Sequence, residues 1–217
     1  TLERKARKLL SFTDNRQDAA LQSGHFNDFI RTIQLRSAIC HALQKNGKLD
    51  HSTLDQEIFD ALSLPIETYA KIPGGFPSAI RDNENAFKTF ITYRALHDLR
   101  HGWRRVLPNL ELCALLKVEY RNLKENCKAV ECWSAIPWIQ NMDIEERMDL
   151  VFVVLDYFRR SYALYSSEYL TQRAIDENTR KIRERLKAPW TLEASEQIEE
   201  PNWLRFEQLD PRRHRKF

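Results

Sequence analysis

Apolar positions recur along most of this chain at three- and four-residue spacing, the mark of helices packed by one face. From Asn15 to Gln44, the residues Ala19, Phe26, Ile30, Ile33, Ala38 and Leu43 follow that spacing, and Asn46-Gly47 supplies a stop. Thr53-Leu-Asp-Gln56 has the capping-box pattern for a short helix through Leu62. Ser63-Leu-Pro65 starts another brief turn, and Pro73-Gly-Gly-Phe-Pro77 reads as a loop. A further helix is predicted over Asp82–His101, with Phe87, Phe90, Ile91, Ala95 and Leu99 inward and Gly102 as its stop.

The second half continues in the same way. Short helices are predicted around Leu110–Leu116 and Tyr120–Cys127, with Pro137 breaking the chain. Asp143-Ile-Glu-Glu146 opens a long helix whose stripe is Ile144, Met148, Val151, Phe152, Leu155, Phe158 and Tyr162. Its Val151–Leu155 run has strand propensity, but the charged, helical surroundings favour a fully buried helix segment. Ser166-Ser167 interrupts this helix before it continues to Lys187, and beyond Pro189-Trp190 the pattern loosens. The exception to helix lies at the start, where Leu9, Leu10 and Phe12 with Ser11 and Thr13 read as a short strand. The expected fold is therefore mainly α, a multi-helical domain with one N-terminal β-strand. It divides into a strand and turn (1–14), a helical domain (15–190) and a loosely ordered charged tail (191–217).

Composition narrows the picture without changing it. With 42% hydrophobic and 30% charged residues, the 217-residue chain suits a globular, helix-rich protein. Five glycines and eight prolines are too few turn formers for a many-stranded sandwich or barrel. No apolar run approaches the ~20 residues of a membrane span, and the mixed-charge opening lacks the apolar core of a signal peptide. Cys40, Cys113, Cys127 and Cys132 have no paired Cys-x-x-Cys spacing and read as reduced thiols. A cytoplasmic monomer is the expectation. The net charge of +3 is concentrated at the ends: residues 3–8 carry +3 and Arg212, Arg213, Arg215 and Lys216 carry +4, leaving −4 on the body. The body is thus a poor candidate for the main grip on nucleic acid, although one local basic face remains open.

The candidate chemistry begins at Lys8-Leu-Leu-Ser-Phe-Thr-Asp-Asn-Arg-Gln-Asp-Ala-Ala20. Asp14 is a strong N-cap type, and a strand-to-helix junction offers free amides and a positive dipole end that suit phosphate. Arg16 adds a fork-shaped cation, unless it only pairs with Asp14 or Asp18. This run, continued through Ile30, resembles the opening of the second RecA-like lobe in large bacterial DEAD/DEAH-box helicases of superfamily 2. Its Phe-Thr-Asp-Asn-Arg-Gln-Asp-Ala portion is similar to their motif IV, a loop that commonly touches the nucleic-acid backbone. Stretches Tyr93–Arg104 and Pro108–Leu116 resemble the same group, so that the likeness covers about half of the chain. The resemblance implies nucleic-acid contacts from Thr13, Asn15, Arg16 and Gln17, and makes residues 1–14 the start of a motor lobe. It further implies a parent that uses ATP and Mg, with this chain docked to the remaining motor lobes and to nucleic acid.

No Gly-x-x-x-x-Gly-Lys-Ser/Thr loop, Asp-Glu-Ala-Asp/His box or arginine-rich helicase motif is present, so the expectation is an excised, non-catalytic piece of a longer helicase that holds no cofactor itself. Arg94, Arg100, Arg104 and Arg105 with Trp103 form a candidate basic face, against which stands a helix end paired with local acids. His97 and His101 stand four apart as in a zinc protease motif, but Asp replaces the usual Glu and no third ligand follows by spacing. A basic last helical turn accounts for them without metal. Cys127 and Cys132 read as small core residues. Trp133 and Trp138 read as packing anchors or as the cover of an interdomain surface. Two other functions compete with the helicase segment: a helical protein-interaction module and, least favoured, a metal-dependent hydrolase built on His97 and His101.

Overall fold

A computed structural model describes residues 16–100, 108–193 and 196–203, with side chains from Phe29 onward. Among these residues the chain is mainly helical, with eight helices and no strand. The strand expected over residues 8–13 lies outside the described residues. None of the helices is long and apolar enough to cross a membrane.

The first long helix, α1 (Arg16–Asn46), ends where Gly47 takes φ +76° and donates its N–H to Leu43 O at 2.8 Å. Its inward face is Leu35, Ala38, Ile39 and Ala42, whereas Ile30 and Ile33 are exposed. The short α2 (Leu54–Leu62) starts at Thr53 as expected, but no capping box forms. Thr53 Oγ1 instead donates to Glu57 Oε1 at 2.7 Å, and Gln56 turns outward to Asp60. One turn, α3 (Ile66–Tyr69), follows Pro65.

Helix α4 (Pro77–Asp98) begins five residues before the expected Asp82, with proline at its first position, where a missing N–H costs nothing. It carries the core. Phe87, Phe90, Ile91 and Ala95 are buried as expected, while Leu99 is only half-buried and Gly102 lies outside the described residues. Tyr69 stacks on Phe87 with centroids 4.2 Å apart; Phe59 and Trp190 meet the same ring edge-on at 5.9 and 5.3 Å. The last long helix, α8 (Gln172–Arg185), closes this layer with Ile175 and Ile182, capped by Thr171 Oγ1, which accepts from Ala174 N. A single antiparallel bridge, Ala70 to Leu186, ties its end to that of α3.

Residues 108–160 build a smaller lobe on different lines. The helix expected at Leu110–Leu116 is only a short run of turns: Asn109 Oδ1 accepts the Leu112 N–H at 2.9 Å, as an N-cap does, but Ala114 takes φ 56° and Leu115 N–H bonds back to Leu110 O, which ends it at once. The lobe's helices are α5 (Leu123–Lys128), α6 (Pro137–Gln140) and α7 (Ile144–Arg160), with a 3-10 turn at Val130–Trp133. Pro137 opens α6 rather than breaking the chain. The side chain of Asp143 caps α7 through Glu145 N at 3.1 Å. The run Val151–Leu155, expected to be fully buried, is not: Val153 and Val154 are 63% and 40% exposed. Of the expected stripe, Ile144 is exposed, Met148, Val151, Phe152, Leu155 and Phe158 are half-buried and Tyr162 is buried. The buried positions of α7 are Arg147, Asp156 and Arg159. Only α5 packs along α7, too thin a cover to bury an apolar face all round.

Helix α7 stops at Arg160, and residues 161–171 turn irregularly, with Tyr162 at φ 57°. The interruption expected at Ser166-Ser167 is therefore a full break between α7 and α8. The chain after Pro189 returns to the body: Trp190, Leu192 and Ile198 are buried in its core.

Candidate nucleic-acid interface

Two places on the molecule bear the residues with phosphate chemistry. The first is the motif IV-like run, of which Arg16 and Gln17 are described and lie in α1. Thr13 and Asn15 lie outside the described residues.

The second is the C-terminal end of α4. Arg94 and His97 lie on its last turns and Arg100 two residues beyond its end, at three-residue intervals. Their positions are fixed from beneath by aromatic rings: the Arg94 guanidinium lies 5.0 Å from the Phe90 centroid and that of Arg100 lies 5.9 Å from Tyr162. Each is also hydrogen-bonded to an acid, Arg94 to Glu196 and Arg100 to Glu199. His97 Nε2 stands 3.6 Å from Glu199 Oε2. Burial holds the His97 imidazole below its ordinary range; Arg100 and Arg94 act in the same sense, while Glu199 and Asp98 oppose them. Burial raises the Tyr162 phenol, and Glu199 adds to that. Arg104, Arg105, Trp103 and His101 lie outside the described residues.

Beneath these charges runs a polar seam. Tyr93 Oη donates to Tyr169 O at 2.6 Å and accepts from Asn178 Nδ2 at 3.1 Å, and burial pushes its phenol up to about 12. Arg183 on α8 donates to Glu196 O at 2.6 Å and to Glu193 O at 3.3 Å, so the last described segment is held from both sides. Sequence reasoning found Arg94 and Arg100 but missed Glu196 and Glu199. Their signal was the run of four glutamates, Glu193, Glu196, Glu199 and Glu200, with no cation between Thr191 and Trp203.

Other surfaces offer less. An open groove of about 980 Å³ between α4 and α8 is lined by charges that cancel pairwise, such as Arg185 with Asp82 at 2.9 Å and Lys181 with Glu177 at 3.3 Å. Among the described residues no three His, Cys, Asp or Glu side chains converge to hold a metal ion. Cys127 is buried as a small core residue, but Cys132 is exposed. Trp133 is half-buried, donating its indole N–H to Asn126 O at 3.1 Å, and Trp138 is exposed. No protein-family model, curated protein or solved structure matches this chain.

Proposed function

We propose that this chain is a non-motor segment of an ATP-dependent superfamily 2 helicase, contributing a backbone contact to nucleic acid and a helical accessory domain. The observation that carries the reading is the motif IV-like run Phe12–Ala20, whose described residues, 16–20, lie in the helix α1. In this reading residues 8–13 are an edge strand of the second RecA-like lobe, and the ATP and Mg sites belong to other parts of the parent. The setting is cytoplasmic and the segment acts as one copy, docked to the remaining motor lobes.

Replacing Arg16 with Ala tests the reading. Binding of labelled single strands should weaken similarly across sequences, and the salt dependence should become shallower by about one unit. Unchanged affinity and slope would mean that Arg16 only pairs with a neighbouring acid. A second reading, a helical protein-interaction module, draws on the exposed Val153, Val154 and Tyr157 of α7 and on Trp138 beside it.

A further inference from the structure

The charges on the second half of α4 are neither free nor paired at random. A row of hydrogen-bond donors at Arg94, His97 and Arg100 would ordinarily face water. Here a segment with glutamates at 193, 196, 199 and 200 and no Lys or Arg lies along it. Glu196 takes Arg94, and Glu199 takes Arg100 while standing 3.6 Å from His97. Carboxylate and phosphate oxygens accept the same forked guanidinium donors, so one can stand in for the other. The aromatic rings beneath both arginines hold the cations in place whichever anion is present.

The seat of the segment is incomplete. Ile198 is buried and anchors it, yet a cavity of about 110 Å³ remains between the segment and the α4 surface, lined by Phe90, Tyr93 and Tyr162 among others. The Arg100–Glu199 contact is also open to solvent, with side chains 35% and 40% exposed. A contact of this kind exchanges readily with a competing polyanion.

We propose that Arg94, His97 and Arg100 form a phosphodiester-binding face whose resident occupant is the chain's own Glu196 and Glu199, so that the acidic segment and a nucleic-acid strand compete for it. The inference rests on the nucleic-acid reading above and adds to it a second contact, masked until a strand arrives. Tethering gives the carboxylates a high effective concentration. A strand displaces them only when it offers several phosphates at once, as it does when already held at Arg16.

The test is a titration of labelled oligothymidine against the full chain, comparing wild type with the double variant Glu196→Gln/Glu199→Gln. Unmasking should tighten binding about tenfold at low salt and steepen the salt dependence by about two units, one for each released arginine. Glu145→Gln/Glu146→Gln, on the exposed first turn of α7, makes the same charge change elsewhere and should leave affinity within about twofold. Adding Arg94→Gln/Arg100→Gln to the first variant should return the affinity to that of wild type. In wild type, hydrogen exchange of residues 196–203 should rise when the oligonucleotide binds. Equal tightening by both glutamate pairs, or unaltered exchange at 196–203 on binding, overturns the inference and leaves the Arg16 reading intact. Absence of binding by every variant overturns both.

Discussion

The body formed by α1–α4 and α8 and the lobe formed by α5–α7 reach order by opposite means. In the body the buried groups are rings and aliphatic chains, centred on Phe87 with Tyr69, Phe59 and Trp190 around it. In the lobe the most buried side chain of α7 is Arg147, 2% exposed, whose guanidinium donates to the carbonyls of Cys127, Ile139, Gln140 and Met142. A second arginine, Arg159, joins Asp156 and Glu111 and reaches Leu99 O at the lobe's border with the body. Between residues 117 and 161 the buried apolar side chains are Cys127 and Ile139, and neither joins the core cluster of the body. A small lobe has too little volume for a dry core, and it substitutes directional bonds that satisfy the loose ends of short helices. Apolar burial tolerates adjustment, whereas a guanidinium serving four carbonyls depends on all of them together.

The largest expected effect lies in the body. Phe87→Ala should lower stability by about 4 kcal/mol through lost burial and a residual cavity, and amide protection should fall in α1, α2, α4 and α8 together. Next comes the lobe. Arg147→Met keeps much of the volume but takes the shared donor from all four carbonyls, of which Ile139 O retains the Met142 N–H, with an expected loss of about 3 kcal/mol. Hydrogen exchange should then accelerate across residues 123–160 while α4 and α8 stay protected. Global unfolding by both substitutions alike would break the comparison, because the two regions would be one cooperative unit. The smallest effect concerns pH. Burial depresses the His97 pKa below its ordinary 6.5, so as pH falls through that value the unfolded chain takes up a proton first and stability declines. At higher pH both states are neutral at this position and the contribution is flat. His97→Gln should remove this shallow slope from melting curves. Glu199→Gln should steepen it, because Glu199 raises the imidazole pKa.

How much of this was legible in the sequence differs between the same two regions. The core face of α4 stood out because Phe87, Phe90, Ile91 and Ala95 share one helical stripe, and in a helix covered on several sides such a stripe is buried. The early start of α4 was hidden because Pro77 closes a loop-like run yet also suits the first helical position. In the lobe the apolar run Val151–Leu155 misled, because it suggested full burial. Burial depends on how many neighbours a helix has, and Val153 and Val154 face the side that none covers. Arg147 carries no such signal, since its partners are backbone carbonyls, and for Arg159 only Asp156, three residues earlier, is local, whereas Glu111 and Leu99 O are brought to it by folding. At the candidate interface, Arg94 and Arg100 were visible as a cluster, but their partners Glu196 and Glu199 lie about a hundred residues further on.

The position of Arg147 within the lobe also sets an order in time. All four carbonyls it serves precede it in the chain, between Cys127 and Met142. During synthesis from the N-terminus, α5 and α6 emerge from the ribosome ahead of the side chain that fastens them. They stay unanchored until the first turn of α7 has emerged as well. Truncating the lobe ahead of this residue should therefore leave its earlier segments unfolded, whereas ending the chain after α7 supplies the fastener they lack.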